Sequence, residues 1–143
     1  MRSVHKSYNP KLWGQHAWNF LYYIAFSYPD NPTPVDKNHV KVFFTEIGSV
    51  LPCTICRQNF VDHLQQYPIT DYVLNNKTNL ITWLININNS VNDLLNKPRV
   101  TFDEIKNKYT DNPAYKIDNN LLIIAILVVI IIAIITYVKC FKD

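Results

Sequence analysis

Glycine is nearly absent from this chain: Gly14 and Gly48 are the two in 143 residues. Folds built from hairpins turn tightly and often and lean on glycine to do so, which argues against a β-rich architecture. Cysteine is scarce as well, with three in all, Cys53, Cys56 and Cys140. A small secreted scaffold stapled by disulfides would carry several pairs. No one sign of charge prevails: 14 basic and 11 acidic residues leave a net charge of +3, scattered along the chain, too little for a nucleic-acid surface. The opening residues MRSVHKSYNPKLWGQHAW hold neither an apolar run nor a small-residue cleavage site, so they do not read as a secretory signal.

What is present is helical periodicity. A first helix opens at Asn9-Pro10, a cap followed by proline at the first helical position, and runs to Ser27 before the turn-rich Tyr28-Pro29-Asp30-Asn31-Pro32. A second spans Asp36 to Gly48, with Val40, Phe43, Phe44 and Ile47 on one face. Pro52 starts a third that carries Cys53, Cys56, Phe60 and Leu64. The fourth, Asn79 to Asn96, shows a clear stripe of Leu80, Trp83, Leu84, Ile87, Val91, Leu94 and Leu95, with Asn88, Asn89 and Asn92 beside it. Thr101 and Glu104 form a capping box for a short fifth helix that ends near Tyr109.

The expected fold is therefore all-α, a four-helix bundle with a short fifth helix in a domain of residues 1–110. A polar linker follows over 111–120, with Pro113 in it. From Leu121 to Val138 the sequence LLIIAILVVIIIAIITYV has no charged residue, and it is expected to be a transmembrane helix, followed by a short tail over 139–143. The chain then reads as a membrane protein with a single C-terminal anchor and its helical domain in the cytosol.

Cys53 and Cys56 stand two residues apart in LPCTICRQNF. The pair suits a redox disulfide, because a helix N-terminus stabilises a thiolate through its unpaired amides and dipole. It also suits half of a zinc site, with His63 or one of His5, His16 and His39 as further ligands, or two unrelated buried cysteines. Trp13, Trp18 and Trp83 would be ordinary core in any small bundle. On these residues alone a partner-binding adaptor without a cofactor competes with an enzyme.

Three motifs in register carry a resemblance. Trp13-Gly14-Gln15-His16-Ala17-Trp18-Asn19-Phe20-Leu21 is similar to the WGxxxWxxL entry of the Erv/ALR family of FAD-linked sulfhydryl oxidases. Pro52-Cys53-Thr54-Ile55-Cys56 stands where that family has PCxxC, and Asn88-Asn89-Ser90-Val91-Asn92-Asp93-Leu94-Leu95-Asn96-Lys97 stands where it has HNxVNxxLxK. The resemblance covers about Lys11 to Tyr109.

It implies a thiol:oxygen oxidoreductase that makes disulfides in substrate protein dithiols, with FAD as cofactor, oxygen as acceptor, hydrogen peroxide as product and no metal. Cys53 exchanges with the incoming thiol and Cys56 faces the flavin. The implied cofactor-binding residues are Gly14, Trp18, Tyr22, Asn88, Asn89, Asn92 and Lys97, with Tyr22 and Asn88 standing where the family has histidines. A homodimer is implied too, and no nucleic acid. The second, shuttling cysteine pair of many members is missing, as in the short members from large cytoplasmic DNA viruses that serve virion proteins, which implies a virion or host membrane for the anchor and a cytosolic catalytic domain.

Overall fold

The computed structural model describes residues 6–110 and 119–140. His5, most of the linker expected over 111–120, and 141–143 lie outside the described residues, as does the side chain of Cys140. The chain divides into two units, Met1–Thr110 and Asp111–Asp143.

In the first unit the elements run α1 Pro10–Ser27, α2 Pro34–Val50, α3 Thr54–Gln66, a 3-10 turn Val73–Asn75, α4 Lys77–Leu94 and α5 Phe102–Thr110. Local signals explain the starts. The Asn9 side chain accepts from Lys11 N at 3.0 Å with Pro10 at the first position, as the sequence suggests. α2 starts earlier than expected, because Thr33 and Asp36 make a reciprocal capping box: Asp36 N donates to Thr33 Oγ1 at 3.2 Å and Thr33 N to Asp36 Oδ2 at 2.8 Å. α4 also starts earlier, because Asn76 Oδ1 accepts from Asn79 N at 2.9 Å and makes Asn76 the cap. The box expected at α5 is formed, with Thr101 N donating to Glu104 Oε2 at 2.7 Å and Glu104 N to Thr101 Oγ1 at 3.3 Å.

α4 is the central element. It packs on α1, α3, α5 and the 3-10 turn, and buries Leu80, Ile81, Trp83, Leu84, Ile85 and Ile87. Each such aliphatic side chain taken wholly out of water contributes about 1.5–3 kcal/mol. Phe44 of α2 meets Trp83 edge-on at 5.1 Å, and Trp83 Nε1 donates to Tyr67 O at 2.8 Å, so the indole is both core and a tie to the end of α3. The Tyr28 hydroxyl donates to Leu74 O at 2.9 Å and anchors the 3-10 turn to the end of α1. α2 and α3 approach closely at Gly48, where a Cβ would stand 2.6 Å from Phe60 Cδ1.

The second unit contains α6, Asn119–Cys140, which begins inside the stretch expected to be linker. The transmembrane helix expected over 121–138 is corrected by the structure: among the described residues no helix is long and apolar enough to cross a membrane. The side chains described on α6 are Ile123, Ile124, 126–134 and Tyr137.

Candidate active site

The turn between α2 and α3 builds the redox pair. Pro52 is not helical, and Cys53 is the N-cap of α3 rather than its second residue, with extended backbone at φ −157° and ψ 120°. Its Sγ accepts from Cys56 N at 3.2 Å, the place a serine or aspartate oxygen takes in an ordinary cap. Cys53 and Cys56 are joined by a disulfide, with Cα atoms 5.2 Å apart. Arg57 locks this turn from its helix side, donating from Nη1 to Leu51 O at 2.8 Å and from Nη2 to Thr54 Oγ1 at 3.2 Å. Cys53 is 3 % exposed, whereas Cys56 is half-buried.

The asparagines of α4 divide into two roles. Asn89 is buried and pairs with one backbone unit, Nδ2 donating to Val100 O at 2.9 Å and Oδ1 accepting from Val100 N at 2.8 Å. Each amide atom keeps one further bonding position. Asn88, also buried, accepts at Oδ1 from Asn92 Nδ2 at 3.1 Å. Past the helix end, Lys97 N donates to Asn92 O at 2.9 Å and Asn96 N to Asp93 O at 3.2 Å, with Asn96 left-handed at φ 51°. These are the two bonds of a Schellman stop, with asparagine in the position that usually takes glycine. The stop turns exposed Lys97 back over the helix end, and Arg99 braces it through two bonds to Asp93, at 3.2 and 3.0 Å.

On α1, Trp18 lies 6.3 Å from Tyr22, which lies 5.1 Å from Tyr109 of α5. The Tyr109 hydroxyl donates to Asn19 Oδ1 at 2.7 Å, and burial pushes its pKa up to about 12. Burial also raises the Tyr22 pKa, with Tyr109 adding to the shift, and the buried Tyr22 hydroxyl has no protein partner. The buried Trp13 Nε1 has none either, and a Cβ on Gly14 would meet nothing within 4 Å. An unpartnered buried donor costs about 1–3 kcal/mol unless something answers it. The unpartnered Tyr22 hydroxyl beside Trp18, the open space at Gly14 and the asparagine pair buried on α4 suit a flat polar-edged cofactor such as a flavin.

The residues implied by the sequence motifs thus fall on α1 (Gly14, Trp18, Tyr22), on α4 and its stop (Asn88, Asn89, Asn92, Lys97), and at the start of α3 (Cys53, Cys56). α4 packs against both of the other two helices. Sequence reasoning missed the grip of Asn89 on Val100 and the role of Asn19 as acceptor for both Tyr109 and Lys108. It also missed that His63 is buried with Nε2 unpartnered. None of these has a local pattern to read, although the Asn-rich face of α4 is a partial signal. Among the described residues no group of three His, Cys, Asp or Glu side chains comes together to hold a metal ion, and the two sulfurs are spent on each other.

Comparison with known proteins gives the same direction. Residues 15–110 match the model of the Erv1 / Alr family. The chain is 44% identical over 96 residues to a probable FAD-linked sulfhydryl oxidase of Acanthamoeba polyphaga mimivirus, covering 67% of each chain. It is 32% identical over 97 residues to the FAD-linked sulfhydryl oxidase of African swine fever virus, covering 68% of this chain and 79% of the relative. A putative FAD-linked sulfhydryl oxidase of Invertebrate iridescent virus 3 is 30% identical over 103 residues, 72% of this chain and 69% of that one. In fold, the yeast Erv1 core superposes with a TM-score of 0.66 at 24% identity, over 78% of this chain and 94% of that one. The helical domain, its CxxC and these matches together place the chain in the Erv1 / Alr family.

Proposed function

We propose that this chain is an FAD-linked sulfhydryl oxidase that makes disulfide bonds in protein dithiols. The observation that carries the reading is the Cys53–Cys56 disulfide at the start of α3, set in a bundle of this family. A substrate thiolate attacks Cys53 Sγ; the Cys53–Cys56 bond breaks and Cys56 leaves as a thiolate. The second substrate thiol, on losing its proton, attacks the substrate sulfur of the mixed disulfide. That step forms the substrate disulfide, releases Cys53 as a thiolate and leaves two electrons on the pair. Bound FAD supplies the two-electron acceptor that restores the pair, with oxygen as final acceptor and hydrogen peroxide as product.

The protein's own residues set this up. The Cys56 amide that caps α3 at Cys53 Sγ, together with the helix dipole, favours thiolate at this position. Arg57 holds the turn so that both sulfurs keep their places through the exchange. Gly14, Trp18, Tyr22, Asn88, Asn89, Asn92 and Lys97 would hold the cofactor, the lysine suiting its phosphates. The Tyr22 hydroxyl is a buried donor that would gain a partner.

We propose that it works in the cytosol on virion proteins; the viral origin of the FAD-linked sulfhydryl oxidases named above is what suggests this reading. A homodimer is supported by Leu12, Phe20 and Tyr23, large exposed side chains at helical spacing along α1. The experiment is direct. The purified protein should be yellow and consume oxygen with a dithiol, and Cys53→Ser and Cys56→Ser should each abolish turnover while keeping the colour. Oxidase activity surviving in either variant would overturn the mechanism.

A further inference from the structure

Cys53 is the sulfur that an incoming thiol has to reach, yet it is 3 % exposed. The segment just ahead of α1 runs alongside it. Tyr8 N donates to Pro52 O at 2.8 Å, and Thr54 N donates to Ser7 Oγ at 3.4 Å. The two bonds fall on the residues either side of Cys53, whose own backbone is extended. Pro52 has no amide, so its carbonyl is the group it can offer a neighbouring strand. The Thr54 amide is one of the first of α3 and has no acceptor within the helix. The turn therefore presents one acceptor and one donor that bracket the reactive cysteine, the pairing an added extended strand uses.

The two sides of this contact differ in strength. Arg57 fixes the turn with two side-chain bonds from the helix side. Tyr8 is about half exposed, and the Lys6 ammonium over its ring, at 5.1 Å, is a contact within the same segment. Residues 6–8 are all exposed, so theirs is the side of the contact that can leave.

We propose that Pro52 O and Thr54 N form the backbone-recognition subsite for an extended, cysteine-bearing polypeptide substrate. Residues 7–8 occupy that subsite in the resting protein and are displaced when substrate arrives. This rests on the reading of Cys53 as the entry sulfur. The substrate class follows from it: an unfolded or loop segment able to lie extended on both sides of its cysteine, in preference to a cysteine inside a helix.

The test uses the full chain and two readouts that do not need turnover. In the reduced protein, labelling of Cys53 by N-ethylmaleimide is followed by peptide mass analysis, with Cys56 as internal reference. Tyr8→Pro, which removes the amide donor, should raise the Cys53 to Cys56 labelling ratio by about three- to tenfold, the scale of losing one exposed hydrogen bond. Ser7→Ala should raise it less, and it guards against any misfolding of the proline variant. An unchanged ratio in both variants would overturn the displacement. In the second readout, a peptide dithiol reduces the oxidised pair without air, and the same peptide N-methylated beside its cysteine is compared. Slower reduction by the methylated peptide than by the unmethylated one supports the subsite, with dithiothreitol, which has no backbone to pair, as the reference for the reactivity of the disulfide itself; equal peptide rates overturn it. Failure of the oxidase reading would show separately, as absence of oxygen consumption by the unsubstituted protein.

Discussion

Gly48→Ala is a change that sequence rules alone would call stabilising, and the structure reverses the sign. Alanine in the body of a helix is worth about 0.8–1.0 kcal/mol over glycine. Here, however, the added methyl would stand 2.6 Å from Phe60 Cδ1 and 3.3 Å from Cε1. Ordinary carbon contacts lie at about 3.5–4.0 Å, so ring and helix have to part by about 1 Å. Phe60 is buried in the core cluster, and forcing an extra carbon into such packing costs about 1–3 kcal/mol. The net expectation is a loss of about 1 kcal/mol, read as a Tm lower by about 4–8 °C in a domain of this size. The assay is thermal unfolding of the oxidised protein by circular dichroism.

A second step isolates the contact. Phe60→Leu should itself destabilise, but combined with Gly48→Ala it should cost less than the sum, with a coupling of about 0.5–3 kcal/mol. A Gly48→Ala protein that melts higher than the parent would refute the reasoning, because Phe60 would then be yielding for nothing. Phe60 lies one turn beyond Cys56 on α3, so the same variant should also disturb the start of that helix.

Three further expectations follow from single contacts. Asn96 holds a left-handed backbone, so Asn96→Gly should keep or raise the Tm, whereas Asn96→Ala should lower stability by about 1 kcal/mol, checked by urea unfolding. Tyr28→Phe strips the buried Leu74 carbonyl of its donor and should cost about 1–3 kcal/mol in the same assay, with no effect on cofactor colour. Burial lowers the His63 pKa below its ordinary 6.5, with Asp62 opposing the shift. The unfolded chain therefore takes up the proton first, and stability present above 6.5 should be lost as the pH falls below it. His63→Leu should flatten that slope in a series of melts, and an unchanged slope would mean that the histidine is solvated.

How much of this was legible in the sequence depends on the range of the interaction. Asn9-Pro10 and Thr101 with Glu104 act within one turn, and the structure shows the bonds they imply. Thr33 with Asp36 is the same device with the shorter acid, and it was passed over, which put the start of α2 too late. The cap role of Cys53 was hidden because proline marks a helix start more often than it marks the turn before one. The stripe of α4 was plain from its spacing. That Asn89 would seize Val100, or Tyr8 reach Pro52, was not, since contacts between residues distant along the chain leave no periodic trace. The segment over 121–138 reads as a membrane span from the length and composition of its uncharged run, and the described residues do not supply a membrane-crossing helix. The motifs of the candidate site were visible because cofactor chemistry constrains spacing; how those residues support one another was not.

The grip of Asn89 on Val100 has a consequence for the connection between α4 and α5. One side chain holds the far end of that connection, and the Asn92 carbonyl holds Lys97 near its beginning. A connection fastened at both ends gives up its backbone freedom when the domain folds, not when something later docks against it. Lys97 is in that sense the tip of a stiff arm. In hydrogen exchange its neighbours should open with the helices that hold them, and a ligand meeting that lysine would have little disorder left to remove.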